Sequence, residues 1–466
     1  MTTTRSRRSI AGLTTAAVLL SGFLTPEAVA ADTGGALAHH LRRTLDRLRF
    51  EQVLDTDPPT SPSRLDALRR RGAGKPAAAP PPRDSRGAAP ITQQPQIDLT
   101  VIELNAAGRP VSSGTVLMSP HHPDGVIVPV DRDLHTTAVR WRQWDDAGWY
   151  ADHAQGTIDV VPGREHAPID FMSPYPASVL KLMVAFGVLR LVDRGAISLD
   201  DTYVYEPAAG SSMCGPSGAD TIRAYLDASL TWSSNPASCA LIKMLHDRDA
   251  IDGLNRTFQD LGLETLQLKG TNPAHGGRWD NPITMTSLDT AKLLMLINGG
   301  KGTLWRTPGG ARVSAGVLSR ASREFFLSRL RDQAMNVTLS TTNWCGAAYP
   351  AQGIPQRTPP RWTGADGSVT VPGQDVAYGH DVRPCDRAAE VTFAHKNGWW
   401  SNAAADAGIV RALPGKGGRS YVVALFSNLG SQYVDPGRPP GGDVWFTERL
   451  ARLGQAIDAY EKHRRP

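Results

Sequence analysis

Ser178 and Lys181 stand three residues apart at the head of an apolar run, Val179 to Leu191. Residues at that spacing on a helix share a face, one turn apart. A serine hydroxyl beside a lysine amine in apolar surroundings is the chemistry of an activated nucleophile. Burial disfavours the ammonium, so the amine accepts the serine proton and the oxygen attacks a carbonyl. Taken alone, the pair also fits a capping serine followed by a lysine that extends to the surface. The rest of the chain has to decide.

Two further groups follow in order. Ser233-Ser-Asn235 precedes Pro236, which opens a helical pattern, and Lys396-Asn-Gly398 ends the strand-like run Val391-Thr-Phe-Ala-His395. The ordered set S-x-x-K, S-x-N, K-x-G resembles the penicillin-recognising serine hydrolases, class A β-lactamases and penicillin-binding proteins. The surroundings are similar too: Phe171 to Leu189 to the nucleophile helix, Val192 to Asp201 to the link after it, Asn281 to Leu294 to the segment after the Ω-loop, and Asp406 to Val410 to the strand after the third motif. The resemblance covers about 165–300 and 388–460.

The resemblance implies a role for each residue. Ser178 is the nucleophile and Lys181 its proton acceptor. Ser233 passes a proton to the leaving nitrogen. Asn235 orients Lys181 and binds a substrate amide, and Lys396 attracts a substrate carboxylate. Asn397, where the family has Thr or Ser, is expected to donate to that carboxylate from its side-chain amide. Gly398 admits close approach to the strand edge, and the backbone N–H groups of Ser178 and Trp399 form an oxyanion hole. His395 reads as a half-buried strand residue. One departure is larger. The family's Ω-loop glutamate lies four residues before an asparagine. If that asparagine is Asn272, Leu268 holds the glutamate's place, with Glu264 and Asp280 the nearest carboxylates. The acyl-enzyme is therefore expected to be hydrolysed slowly or by another base, Glu264 or Lys181. The implied activity is acyl transfer from a β-lactam or a peptidoglycan-type peptide. A cell-wall carboxypeptidase or transpeptidase and a non-hydrolytic binding module remain alternatives. No cofactor or metal is implied, and a monomer is expected.

The elements that must position these residues follow from hydrophobic periodicity. Helices are expected over 178–193, 220–230, 236–247, 250–261, 286–298, 320–331 and 443–463. Strands are expected over 97–104, 126–130, 137–141, 148–151, 157–161, 390–395, 407–412 and 420–426, and 340–386 is an irregular insertion bordering the cleft near Lys396. Strands from both chain ends around a central helical region (178–335) predict an α+β protein. The resemblance gives it a β-lactamase/transpeptidase-like fold: an antiparallel sheet flanked by helices plus an all-helical region, with the active site between them.

Of 466 residues, 1–30 read as a twin-arginine-like export signal: Arg7-Arg8, the apolar run Leu13–Leu20, and Ala28-Val-Ala30 at the cleavage position. Residues 31–95 read as a basic Pro/Ala-rich linker, largely disordered, with one short amphipathic helix on Leu37, Leu41, Leu45 and Leu48. The hydrolase domain is expected over 96–466. The formal charge of +5 divides into +2 for residues 1–30, +4 for 31–95 and −1 for the remainder. The near-neutral body gives no argument for nucleic acid. The linker charge fits either a solvated tether or association with an acidic cell envelope. Export implies an oxidising compartment, where Cys214, Cys239, Cys345 and Cys385 allow three pairings. Local order favours Cys214–Cys239 and Cys345–Cys385.

Overall fold

Six antiparallel strands form the central sheet: β1 (Ile97–Leu104), β2 (Pro110–Ser119), β3 (His122–Ile127), β4 (Val391–Trp400), β5 (Ala403–Ala412) and β6 (Ser420–Ser427), in the order β4-β5-β6-β1-β2-β3. The computed structural model describes residues 35–55, 89–91, 94–152, 155–280, 283–346, 351–373, 377–378, 381–433 and 446–465. All lie in the unit Gly34–Pro466. The expected export signal and most of the expected linker fall outside the described residues.

The sheet joins the two ends of the chain because β6 pairs with β1, Val423 opposite Val101. Alternate side chains on a strand point to opposite faces, and here both faces are covered. Val422, Ala424 and Phe426 enter the core shared with the helical region. Tyr421, Val423 and Leu425 enter a second core with Ile97, Leu99 and Val101. That second core is roofed by α1 (Ala36–Leu48) and the last helix, α8 (Phe446–Arg464). Leu37, Leu41 and Leu45 of α1 are fully buried in it, as are Phe50 and Val53. From the sequence these residues are expected in a linker, with the domain beginning at 96. The structure corrects that boundary, because the leucine stripe is one wall of the core.

The helical region contains α2 (Lys181–Asp193), α3 (Ile222–Thr231), α4 (Asn235–Asp247), α5 (Ala250–Asp260), α6 (Ser287–Asn298) and α7 (Arg320–Arg331). These follow the expected periodic segments closely, and the whole is α+β as expected. A buried carboxylate ties sheet to helices. Asp98 on β1 accepts from the backbone N–H of Ser287 at 2.8 Å and from its hydroxyl, capping α6. Burial pushes the Asp98 carboxyl up to about 7.

Two expected strands are absent. Residues 148–151 lie in the short helix Asp146–Asp152, whose Trp149 packs with Trp144 and Met172. Residues 157–161 form no strand; Asp159 makes only an isolated bridge to Arg142, and Val160 and Val161 pack inward. Tertiary packing overrides strand propensity at both places.

Both expected cysteine pairs form, Cys214–Cys239 and Cys345–Cys385. The second closes the 340–386 insertion, which has its own small core of Val337, Trp362, Val369, Val371 and Val382. Trp232, Trp344 and Trp399 pack on that core. The insertion thus reaches the residue before Ser233 and the residue after Gly398.

Candidate active site

The motif residues meet where the edge strand of the sheet, β4, packs against the start of α2. Ser178 sits in a 3-10 turn, Ala177–Leu180, that runs directly into α2 at Lys181. Pro174 and Pro176 stop a helix from forming earlier. Ala177 has a φ of 45°, in the left-handed region. A non-glycine residue held there stores about 1–3 kcal/mol of strain, a feature concentrated at functional turns. The Ser178 carbonyl accepts from the Lys181 backbone N–H, so the two motif residues are locked in register.

Lys181 is fully buried. Its amine donates to Asn235 Oδ1 at 2.8 Å, to the Ser233 carbonyl at 2.6 Å and to Ser233 Oγ at 3.0 Å. No carboxylate is among these partners. Burial, with the nearby positive charge of Lys396, drives the amine well below the usual lysine range. The bland alternative of a lysine reaching for solvent is excluded by this burial.

The second motif is shaped by backbone geometry. Ser233 has a φ of 66°, and that unusual turn brings both its carbonyl and its hydroxyl to Lys181. Ser234 caps α4, its side chain accepting from Ala237 N, and Asn235 is the first helical residue.

On β4, alternation splits the third motif between two faces. Lys396 and Gly398 face the nucleophile turn. Lys396 is fully buried and donates to Ser233 Oγ at 3.0 Å and to the Asn397 carbonyl at 2.6 Å. Burial lowers its amine to about 7, against the opposing effect of Asp406. A methyl group on Gly398 would lie 2.4 Å from Ser178 N, so only glycine lets the strand edge sit against the nucleophile.

His395, Asn397 and Trp399 point the other way. His395 is fully buried rather than half-buried. Its Nδ1 lies 2.7 Å from Asp406 Oδ1 and its Nε2 2.9 Å from Asn336 Oδ1. Trp399 donates from Nε1 to Thr338 Oγ1 at 3.0 Å and packs edge-on against Phe446. Asn397 is 1% exposed, and neither amide atom has a hydrogen-bond partner among the described residues. The expectation that this amide meets a substrate carboxylate beside Lys396 is therefore corrected: strand alternation turns it to the opposite face.

Among the described residues, the Ω-loop region contributes no carboxylate to the site. Leu268 is fully buried in the main core, its backbone N–H and carbonyl both held by the Asn255 side chain. Asn272 caps the turn Pro273–His275. Glu264 pairs with Arg164 at 3.2 Å, and Asp280 pairs with Arg278 at 2.9 Å.

An indole stands beside the lysine. The Trp279 ring centroid is 5.9 Å from Lys181 Nζ, and its Nε1–H donates to the Tyr175 hydroxyl at 2.8 Å. Sequence reasoning missed both residues. Tyr175 lies within the quoted nucleophile stretch, but no spacing rule links Trp279 to it.

Residues 172–338 match the model of the Beta-lactamase enzyme family, Beta-lactamase2. That match bears out the resemblance to the penicillin-recognising serine hydrolases. No curated protein matches the chain. Similar solved structures include PBP-A, with 17% identity over 81% of this chain and 92% of that one and a TM-score of 0.43. A beta-lactamase from Chitinophaga pinensis has 19% identity over 61% of this chain and 86% of that one, with a TM-score of 0.38. An ancestral class A beta-lactamase has 16% identity over 62% of this chain and 85% of that one, with a TM-score of 0.39.

Proposed function

We propose that this chain is an exported serine acyl-hydrolase that forms an acyl-enzyme at Ser178 on β-lactams or related peptide amides. The observation that carries the reading is the arrangement at Ser233 Oγ. Lys181 and Lys396 each lie 3.0 Å from it, and both amines are buried. A hydroxyl between two amines is a path for a proton from the attacking oxygen to a leaving nitrogen.

Ser178 Oγ attacks the carbonyl carbon and its proton passes to the neutral Lys181 amine. The backbone N–H groups of Ser178 and Trp399 hold the oxyanion, each donor worth about 3 kcal/mol. The C–N bond breaks as Ser233 donates a proton to the nitrogen and is reprotonated from the lysine side. Asn235 holds Lys181 in place, and charged Lys396 draws in a substrate carboxylate. Water then cleaves the ester at Ser178.

One observation favours the cell-wall enzyme over a fast β-lactamase. Deacylation needs a base to activate water, and the position expected to supply it is buried Leu268. A long-lived acyl-enzyme fits a penicillin-binding carboxypeptidase or transpeptidase. The export-signal pattern and the basic Pro/Ala-rich stretch between α1 and β1 support a location at the envelope for such an enzyme.

Fluorescent penicillin with intact-mass detection tests the reading. The wild type is expected to gain one adduct at Ser178 and the Ser178→Ala variant none. Labelling that survives in Ser178→Ala removes the nucleophile assignment.

A further inference from the structure

We propose that Trp279 is a positioning residue for Lys181: its indole closes the side of the amine left open by Ser233 and Asn235, and so keeps the amine dry and ready to accept a proton. The inference rests on the acyl-enzyme reading for its consequence, though not for its geometry. The three hydrogen-bond acceptors of Lys181 come from Ser233 and Asn235. The Trp279 ring lies 5.9 Å from the same nitrogen, and Trp279 is 5% exposed.

The ring is fixed from two sides. Its Nε1–H is bonded to Tyr175, which stands between Pro174 and Pro176 just before the nucleophile turn. Trp279 also belongs to a two-stranded ribbon, Thr271–Asn272 with Arg278–Trp279. At Gly277 that ribbon presses on α4, where an added methyl would lie 2.4 Å from the Cys239 carbonyl. The indole is therefore tied both to the segment carrying Ser178 and to the helix carrying Asn235.

An aromatic face attracts a cation, and apolar burial repels one from water-like solvation; the two act oppositely on the amine's proton. Burial, with the Lys396 charge, holds the amine well below the usual lysine range, and the indole 5.9 Å away is part of the cover that keeps water off it. The charged group facing it is Lys396, which acts in the same direction as burial, and Asp406 lies behind Lys396. Replacing the indole by a small side chain admits water, and the amine then holds its proton to higher pH.

The test is a titration of the Lys181 side chain by NMR in protein carrying 13C-labelled lysine, with the signal assigned by its loss in Lys181→Arg. In Trp279→Ala the midpoint is expected to rise by at least one pH unit, a tenfold tighter hold on the proton, and Trp279→Phe stays within half a unit of wild type. If Trp279→Ala does not fold, Tyr175→Phe frees the ring and shifts the midpoint the same way by a smaller amount. An unmoved midpoint in the folded Ala or Tyr175→Phe variant, or a Phe variant that moves as far as Ala, overturns the proposal. Penicillin labelling against pH, measured alongside, is expected to shift its acid limb by the same amount. If wild type takes no label at any pH while the titration behaves as expected, the acyl-enzyme reading fails and the positioning role stands.

Discussion

Lys181 Nζ and Lys396 Nζ each lie 3.0 Å from one oxygen, Ser233 Oγ. Two ammonium groups around one hydroxyl in a dry site repel each other, so the pair titrates as a unit. Both amines are lowered, Lys396 to about 7 and Lys181 well below the usual lysine range. With one proton shared between the two amines, the arrangement supplies one proton acceptor and one charged anion anchor.

This division predicts a bell-shaped pH profile for acylation by a β-lactam bearing a carboxylate. Below the Lys181 midpoint the acceptor is protonated and the rate falls. Above about pH 7 Lys396 loses its charge and capture of the carboxylate falls. Lys396→Arg keeps its charge, so its profile is expected to lose the alkaline limb even if the maximum drops. Stopped-flow acylation between pH 5 and 10 gives the comparison, and an alkaline limb unchanged in that variant removes Lys396 from the anchor role.

Gly398→Ala should be disproportionately costly. Its methyl group would meet Ser178 N at 2.4 Å, which is backbone and cannot swing aside. The strand edge must back away, which spoils the oxyanion site. Loss of one such donor typically costs about 10²–10³ in rate. Labelling rate and circular dichroism measured together should show a folded protein with that loss. A variant that labels at the wild-type rate means the strand edge takes no part.

Deacylation should be slow, and Glu264 should not be its base. A general base contributes about 10²–10⁴-fold, and Glu264 is held by Arg164 instead. The penicillin adduct is expected to persist for minutes by mass spectrometry, with the same lifetime in Glu264→Gln. Complete hydrolysis within seconds, slowed by Glu264→Gln, is the contrary result.

Much of this site is legible in the chain because its signals are local. Ser178 and Lys181 are one turn apart, Pro236 marks the start of α4, and strand alternation ends in Gly398. What was not legible depends on distant partners or on backbone angles. Ser233 adopts a φ of 66° that its residue type does not announce. Trp279 meets Lys181 only because the Ω-region ribbon folds back on α4. The leucine stripe of α1 was readable as a helix face, yet the proline-rich stretch after it hid the sheet core it covers. Asn397 occupies a motif position that implies a cleft residue, while strand alternation turns its side chain to the face of Asp406.

The far side of the sheet carries a pH dependence of its own. Glu461 on α8 is fully buried, and neither of its carboxylate oxygens has a hydrogen-bond partner among the described residues. Glu103 on β1 lies nearby, bound by Arg464 at 3.1 Å and Arg465 at 3.4 Å, and Asp458 stands one turn earlier on the helix. Burial first, then the Glu103 charge, raise the Glu461 carboxyl from 4.5 to about 8. The folded state therefore binds this proton more tightly than the unfolded chain does. Below about pH 4.5 both states are protonated and the group costs nothing. As pH rises from there to about 8 the unfolded chain gains an ionised carboxylate that the folded state resists, and stability falls by about a few kcal/mol. Above about 8 the loss levels off. Glu461→Gln removes the titration while keeping the shape. Its melting temperature should match the wild type near pH 4.5 and exceed it by several degrees at pH 9. Parallel melting curves across that range decide the matter: a constant offset between the two proteins means that Glu461 does not titrate in this window.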